Sequence, residues 1–196
     1  ILRGPIRRLQ SDKDKIEMVL GGYNDGNQRS KEIWDRMLNT FTAGKTIPHK
    51  ILPGTLPNEF MNMYKHADIC VIPLEGGPWH AAKSNLKILE AASKKIPVVV
   101  SAVKPYINDK DAPVLWVRNQ QEWYRHLKTL IHDKEKREDL GNKLYEWAVK
   151  KYNLLDINQR RRSIYESLIQ AQTYLGLVRP DRGDCELPCG DQKGSC

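Results

Sequence analysis

The stretch from residue 67 to residue 101 constrains the fold more than any other part of the chain. It reads as a strand, a long polar loop, a helix and a second strand. The strands are the apolar runs at residues 69–73 and 98–101, and glycines and proline lie in the loop between them. Two strands joined by a helix usually lie parallel in one sheet, so this stretch predicts a βαβ unit.

The same alternation of strands and helices extends from residue 16 to residue 132. It predicts an α/β fold, a Rossmann-like parallel sheet with helices on both faces, plus C-terminal helices and a polar tail. We expect residues 1–179 to form one domain and residues 180–196 a flexible tail that contains cysteine. The predicted strands are Ile16–Leu20, His49–Leu52, Ile69–Pro73, Val98–Ser101 and Val114–Val117.

Helix starts and stops add detail to this prediction. Asn119 and Glu122 have the spacing of a capping box, which predicts a helix that runs to about His132. Asn58 is the expected cap of an earlier helix, and Ser84 that of the helix after the long loop. The last helix is expected to carry Ile164, Leu168, Ala171 and Leu175.

The chain has 196 residues and a net charge of +8. This charge favours an anionic partner such as a nucleotide, nucleic acid, an acidic glycan or a membrane surface. No aromatic and basic recognition motif accompanies the charge, so we do not expect nucleic-acid binding. No apolar run approaches the roughly 18 residues of a membrane span. We expect a cytoplasmic location, with peripheral association at a membrane surface as an alternative.

Four cysteines fall into two groups. Cys70 lies in an apolar run and is expected to be a reduced core residue. Cys185, Cys189 and Cys196 lie in the tail and could bind a metal or form disulfides, but their spacing offers no clear fourth metal ligand. The alternative is a mobile tail with accessible thiols.

Ligands of open parallel sheets bind beyond the carboxyl ends of the strands, which directs attention to the long loop. Lys83 and Ser84, followed by Asn85, stand at a predicted helix N-terminus. An ammonium group and free backbone N–H groups there would hold a diphosphate. The alternative is a solvated lysine beside a serine that only caps the helix.

Other polar residues near this edge are weaker candidates. Glu90 could accept hydrogen bonds from sugar hydroxyls, or be a partly exposed helix glutamate. Glu75 and His80 could act as acid, base or hydroxyl partner, and Gly76 and Gly77 could allow close approach of a ligand or only shape the turn.

Arg3 and Gly4 stand where a first strand is expected to end, and the chain opens without methionine, as if cut inside or just after that strand. We therefore expect a fragment or a processed chain. The arginine could hold phosphate, or belong to a frayed end. Neither a phosphate-binding G-x-x-x-x-G-K-[ST] loop nor a G-x-S-x-G nor an H-E-x-x-H motif occurs.

A dense set of matches to a known family covers residues 67–101. This run resembles the nucleotide-sugar-binding, C-terminal half of GT-B glycosyltransferases, particularly the family-4-like group, and the looser resemblance spans roughly residues 1–175. The matching residues are Ala67-Asp68, Val71-x-Pro73, Lys83-Ser84-Asn85-Leu86-Lys87-x-Leu89-Glu90-Ala91 and Ile96-Pro97-Val98-Val99-x-Ser101.

The resemblance implies transfer of a sugar from a UDP- or GDP-linked donor to an acceptor glycan, lipid or protein, with retention of configuration and without a bound metal or other cofactor. It places Glu90 at the donor ribose and Arg3 at the phosphates. It also implies an N-terminal half, in the same chain or a partner chain, against which the last helix packs. The residues beside the diphosphate and sugar would be Lys83, Ser84 and Asn85, and those of the base-side loop Leu52, Pro53 and Gly54.

Two departures keep a second function open. Many family members have a glutamate eight positions before the ribose-binding one, where this chain has Ala82. The acceptor-binding half is also not in this sequence, so we expect the chain alone to be inactive. The alternative is a non-catalytic sugar-nucleotide domain that acts as a structural or interaction module. A basic α/β protein that binds nucleic acid is a third hypothesis.

Overall fold

The computed structural model has an α/β fold built on parallel strands, as predicted. It describes residues 1–24, 26, 28–42 and 46–174, with side chains up to residue 172. The strands are β1 (Met18–Tyr23), β2 (His49–Pro53), β3 (Cys70–Ile72), β4 (Val98–Ser101) and β5 (Leu115–Val117). The helices are α1 (Arg3–Ser11), α2 (Gln28–Phe41), α3 (Pro78–Ala81), α4 (Leu86–Ser93), α5 (Gln120–His132), α6 (Lys134–Tyr152) and α7 (Leu154–Tyr174), with 3₁₀ helices at Phe60–His66 and Tyr106–Asn108.

Hydrogen bonds arrange the strands in two groups. β1 pairs with β2, and β4 lies between β3 and β5, with every pair parallel. The run of β-branched residues in β4 explains its central place, because such side chains pack well on a pleated surface. Each residue of β4 is at most 5% exposed, as expected for a strand covered on both faces.

Two core clusters show that helices cover both faces. Val98 and Val100 belong to the first core cluster, with Ile88, Ala91 and Ala92 of α4. Val99 belongs to the second core cluster, with residues of α1 and α5 such as Ile6 and Leu127. Because successive side chains of a strand point to opposite faces, α4 covers one face while α1 and α5 cover the other.

The first helix differs from the expectation. Arg3 and Gly4 open α1 rather than end a strand. Leu2, Ile6 and Leu9 recur at helical spacing, and each is at most 4% exposed. This spacing was the signal that could have predicted the helix.

Strand β1 also differs, since it continues through Gly21 and Gly22 to Tyr23 instead of ending at Leu20. A Cβ atom on Gly21 would lie 2.7 Å from the sulfur of Met63. The side chain of Met63 therefore packs directly on the strand at Gly21, and a larger residue there would require this flexible side chain to move. The pairing with β2 shifts register between Gly21 and Tyr23, which bends the strand end.

One predicted cap is confirmed and two are wrong. Asn119 Oδ1 accepts a hydrogen bond from the Glu122 N–H at 2.9 Å, and α5 ends at His132 as expected. The 3₁₀ helix at 60–66 has Glu59, not Asn58, at its N-cap. Helix α4 has Asn85, not Ser84, at its N-cap, and the side chain of Asn85 forms no capping bond.

The chain divides into two units, residues 1–151 and 152–196. Within the second unit, α7 is described to Tyr174, so the predicted helix end at Leu175 lies outside the described residues. The predicted domain boundary after residue 179 and the tail from residue 180 lie there too, and stay predictions. The states of Cys185, Cys189 and Cys196 also fall in this part. Within the described residues, no helix combines the length and apolarity that crossing a membrane requires.

Candidate functional site

The segments that follow β3 and β4 meet at the carboxyl edge of the sheet. The Leu74 N–H donates to Ser101 Oγ at 2.9 Å, which ties the end of β3 to that of β4. Beyond this bond, a Cβ atom on Gly76 would lie 3.8 Å from Val103. The β3–α4 loop (residues 73–85) is therefore anchored where a parallel sheet offers a ligand site.

The β3–α4 loop is more ordered than predicted, because it contains the short helix α3. Gly77 precedes this helix with φ 145°, a conformation that favours glycine, and Pro78 occupies the first helical position. His80 Nδ1 donates to the carbonyl oxygen of Glu75 at 2.8 Å. A carbonyl can only accept, so Nδ1 carries the proton and His80 closes the turn. Glu75 and Gly76 are exposed.

The side chain of Asn85 binds a buried acid and does not cap the helix that follows it. Its Nδ2 donates to Asp109 Oδ2 at 2.5 Å, and Asp109 is 7% exposed. Lys151 Nζ lies 2.9 Å from Asp109 Oδ1, which balances the charge of this acid. The Asn85 side chain is thus turned to Asp109 and does not cap α4.

The N-terminus of α4 therefore presents a positive end. The Asn85 carbonyl accepts from the Ile88 N–H at 2.9 Å, which begins the helix, while the side chain of Asn85 forms no capping bond. Lys83 and Ser84 are exposed immediately before this end. A lysine and the first amides of a helix together form a chemically suitable place for an anion.

Glu90, one turn farther along α4, is oriented by a tyrosine. The Tyr64 hydroxyl donates to Glu90 Oε2 at 2.6 Å. Burial, and then this hydrogen bond, raise the pKa of Tyr64, so the hydroxyl stays protonated and donates. One oxygen of Glu90 is fixed in this way, and the other can accept from a ligand hydroxyl.

A network of charged side chains connects α6 to the candidate site. Lys151 Nζ lies 2.7 Å from Asp111 Oδ1, and the indole N–H of Trp147 donates to Asp111 Oδ2 at 2.8 Å. The bond from Lys151, followed by that from Trp147, lowers the pKa of Asp111. Lys151 also bonds Asp109, so this network joins α6 to Asn85.

The remaining predicted residues lie on other elements. Arg3 is exposed at the start of α1, where a Cβ atom on the next residue, Gly4, would lie 2.9 Å from Gln120 Oε1 at the start of α5. The Gly54 N–H donates to the Tyr23 carbonyl at 2.6 Å, which ties the ends of β1 and β2. Pro53 and Gly54 are exposed, whereas Leu52 is only 9% exposed and belongs to the core.

Sequence reasoning missed Tyr64 and Asp109 as site residues. Tyr64 is separated from Glu90 by 26 positions and Asp109 from Asn85 by 24. No local pattern marks contacts at such separations; only the tertiary fold does. The described residues contain no group of three or more histidine, cysteine, aspartate or glutamate side chains placed to hold a metal ion.

Comparisons with known proteins identify a family and a solved structure that this chain resembles. The sequence model of a family described as glycosyl transferases group 1 matches residues 5–133. Among curated proteins, none matches the chain. Among solved structures, the chain is similar to the C-terminal domain of a glycosyl transferase group 1 family protein (LpcC) from Francisella tularensis. That match has 18% identity and a TM-score of 0.48, and it covers 78% of this chain and 94% of the other.

Proposed function

The chain belongs to the glycosyl transferases of group 1, and on that premise we propose that it is the donor-binding domain of a GT-B enzyme. The family indicated by residues 67–101 is confirmed by the match over residues 5–133, and the chain is a glycosyltransferase domain. The proposed donor is a UDP- or GDP-linked sugar. The observation that carries this proposal is the position of the N-terminus of α4 between the exposed Lys83 and Glu90, whose carboxylate is oriented by Tyr64.

The diphosphate of the donor fits the positive end of α4. In the proposed complex, Lys83 and the first amides of α4 contact the phosphate oxygens, with Ser84 and Asn85 beside them. Negative charge builds on the nucleoside diphosphate as the sugar leaves, and cationic groups fixed nearby stabilise that charge. Lysine and the helix dipole would supply this stabilisation without a metal ion.

The ribose fits Glu90. Its carboxylate accepts hydrogen bonds from hydroxyl groups, and Tyr64 holds the carboxylate in a fixed orientation. Charge-assisted hydrogen bonds of this kind contribute about 1.5–3 kcal/mol each. In the proposal, Glu90 sets the position of the nucleoside, and the exposed Pro53 and Gly54 lie toward the base.

Transfer itself needs more than this domain. We propose that an N-terminal half, in the same chain or a partner chain, closes over the donor, brings the acceptor glycan, lipid or protein, and permits retention of configuration. Closure of two halves around a substrate excludes water and completes the catalytic site. The chain by itself is then a donor-binding protein without turnover.

One observation favours a second candidate function, a non-catalytic sugar-nucleotide module. Ala82 stands where many relatives have a first glutamate, and it forms the C-cap of α3. Glu75 precedes α3 on the exposed part of the loop and does not occupy that position. In this candidate the nucleotide is not bound, and the domain supports an assembly.

Titration calorimetry of the full chain with UDP, GDP and their sugars tests the proposal. We expect binding of one nucleotide series, weakened about tenfold or more by Lys83→Ala or Glu90→Ala, because one charge-assisted bond is worth at least about 1.4 kcal/mol. Tyr64→Phe should weaken binding by a smaller factor, about three- to tenfold, since Glu90 remains but is less well oriented.

Lys150→Ala and Glu146→Ala are matched controls, because both residues are exposed on α6. They should leave nucleotide affinity unchanged. Folded protein that binds no nucleotide would favour the non-catalytic module. Salt-dependent oligonucleotide binding that is indifferent to Glu90 would instead favour a nucleic-acid-binding protein.

A further inference from the structure

Two asparagines of this chain stand at the start of a helix, but only one of them caps its helix. Asn119, the N-cap of α5, has an extended backbone (φ −148°, ψ 170°), and its side chain accepts from the Glu122 N–H. Asn85, the N-cap of α4, has φ −82° and ψ 14°, and its side chain forms no capping bond. Asparagine is among the residues that cap helices best, so another interaction must hold the Asn85 side chain away from α4.

The carboxylate of Asp109 provides that interaction. Asn85 Nδ2 donates to Asp109 Oδ2 at 2.5 Å, and Lys151 Nζ lies 2.9 Å from Asp109 Oδ1. Each oxygen of this carboxylate therefore has a partner, and the Asp109 side chain is only 10% exposed. A hydrogen bond to a charged acceptor is stronger than one between neutral groups. The bond to Asp109 therefore prevails over the cap.

Asp109 is itself anchored to the core of the domain. Its N–H donates to the Tyr106 carbonyl at 3.0 Å, and its carbonyl accepts from the Ala112 N–H at 2.9 Å. Tyr106 is 3% exposed and Ala112 4%, and both belong to the first core cluster. Because Asp109 is fixed by this turn, a change in the pair moves the Asn85 side chain rather than the acid.

The bond to Asp109 matters because a cap and an anion use the same amides. A capping side chain accepts from the second or third N–H group of a helix, and an anion at a helix N-terminus accepts from N–H groups of the same first turn. If Asn85 capped α4, its side chain would stand where the proposed diphosphate of the donor binds. The exposed Lys83 would remain before the helix, but the amides beside it would be occupied.

We propose that Asp109 is a positioning residue of the donor site: by binding the Asn85 side chain, it keeps the start of α4 available to the donor diphosphate. This inference rests on the proposed function, since it concerns the same site. Asp109 acts through Asn85 and does not touch the donor. Lys151 balances the charge of the acid, which limits its repulsion of the phosphates.

Two substitutions at Asn85 separate capping from loss of the bond to Asp109. Asn85→Ser and Asn85→Ala both remove the amide group that donates to Asp109, but serine caps a helix well and alanine does not. We expect the serine variant to have the higher urea midpoint and yet, by about fivefold, the weaker affinity for the nucleotide that the unsubstituted chain binds. Titration calorimetry and urea unfolding of the full chain measure the two quantities. If Asn85 only stabilised the fold, the more stable variant would bind at least as tightly.

Asp109→Leu tests the acid itself. Leucine has a similar volume but accepts no hydrogen bond, so we expect Asn85 to cap α4 and the affinity to fall about fivefold. Removal of a negative charge near the phosphates would by itself raise the affinity, so the expected fall has the opposite sign to the electrostatic effect. Addition of Asn85→Ala to Asp109→Leu should recover about fivefold, because the double variant has neither the acid nor the cap. If Asp109→Leu does not fold, the two Asn85 variants decide alone.

Asn119→Ser and Asn119→Ala are matched controls at the other N-cap. They should show the same order of urea midpoints and equal nucleotide affinities. An Asn85→Ala variant that binds no more tightly than Asn85→Ser, or a double variant no tighter than Asp109→Leu, would overturn the inference and leave the proposed function intact. Affinities that differ in the same ratio for the Asn119 pair would trace the effect to helix stability in general and would also overturn it. A folded, unsubstituted chain that binds no nucleotide would overturn both.

Discussion

Replacement of Gly141 by alanine should destabilise the protein, although alanine is the better helix former. Gly141 lies within α6, where glycine costs about 0.5–1 kcal/mol relative to alanine. A Cβ atom on Gly141, however, would lie 1.9 Å from the carbonyl oxygen of Lys95 and 2.7 Å from its carbonyl carbon. Both atoms belong to the backbone, so no rotation of a side chain relieves the contact.

The two effects have opposite signs, and the steric one should prevail. An ordinary van der Waals contact begins near 3.4 Å, so α6 or the backbone at Lys95, which follows α4, would have to move by about 1.5 Å. Overpacking typically costs about 1–3 kcal/mol and occasionally more. We expect a net loss of at least about 1 kcal/mol, which lowers the melting temperature by at least about 2–4 °C in a chain of this length.

Gly4→Ala is the matched control, since it makes the same chemical change inside a helix. Its Cβ atom would meet only the flexible end of Gln120, at 2.9 Å, so stability should be unchanged or raised by up to about 1 kcal/mol. Urea denaturation followed by circular dichroism measures both variants, with equal m-values as the condition for comparison. A Gly141→Ala variant as stable as the original chain would refute the close approach of α6 to Lys95.

Three further outcomes are expected. Lys95→Gly should raise the free energy of unfolding by about 0.5–1 kcal/mol in urea, because Lys95 has φ 56°, where a side chain is unfavourable; an unchanged or lower value would contradict this. Burial raises the pKa of the Cys70 thiol to about 12, so peptide mapping should find it unmodified by iodoacetamide at pH 8 in folded protein and modified in urea. Hydrogen bonds from Lys128 and then Tyr124 lower the pKa of Asp12. The stability they give is present above the ordinary pKa of about 4 and is lost as the pH falls through the lowered pKa, so Asp12→Asn should be less stable at pH 6 and the difference should shrink progressively below about pH 4. A difference that persists in acid would argue against this ion pair.

Elements that are determined by residues close together in the chain were predictable from the sequence. The run of valines in β4 specifies a buried strand through side-chain shape alone, and the predicted bounds were confirmed. The cap of α5 depends on Asn119 and Glu122, which lie within one turn of each other. Patterns of this kind involve few residues and little competition from distant parts of the chain.

Features that depend on distant partners were not predictable. Ser84 has the residue type of an N-cap, but the N-cap is Asn85, one residue later, and the distant Asp109 binds the Asn85 side chain. The sequence pattern placed Tyr64 only on one face of a predicted helix. Its hydrogen bond to Glu90 forms because the segment between β2 and β3 lies beside α4 in the fold. The sequence therefore indicated Lys83 and Glu90 as candidates, which stay predictions, but not the residues that orient Glu90 and Asn85.

Helix α6 contacts the segments on either side of α4: Gly141 lies against the backbone of Lys95 after its C-terminal end, and Lys151 binds Asp109, which holds Asn85 before its N-terminal end. Helix α6 therefore supports the shorter helix α4 through the segments that flank it. Since the family match stops at residue 133, α6 lies outside the matched segment. Proteins that share that segment but differ in residues 134–152 can keep Lys83 and Glu90 and still hold Asn85 more loosely or more firmly. Divergence in this helix would then change how rigid the β3–α4 loop is without altering Lys83 or Glu90, the residues proposed to bind the donor.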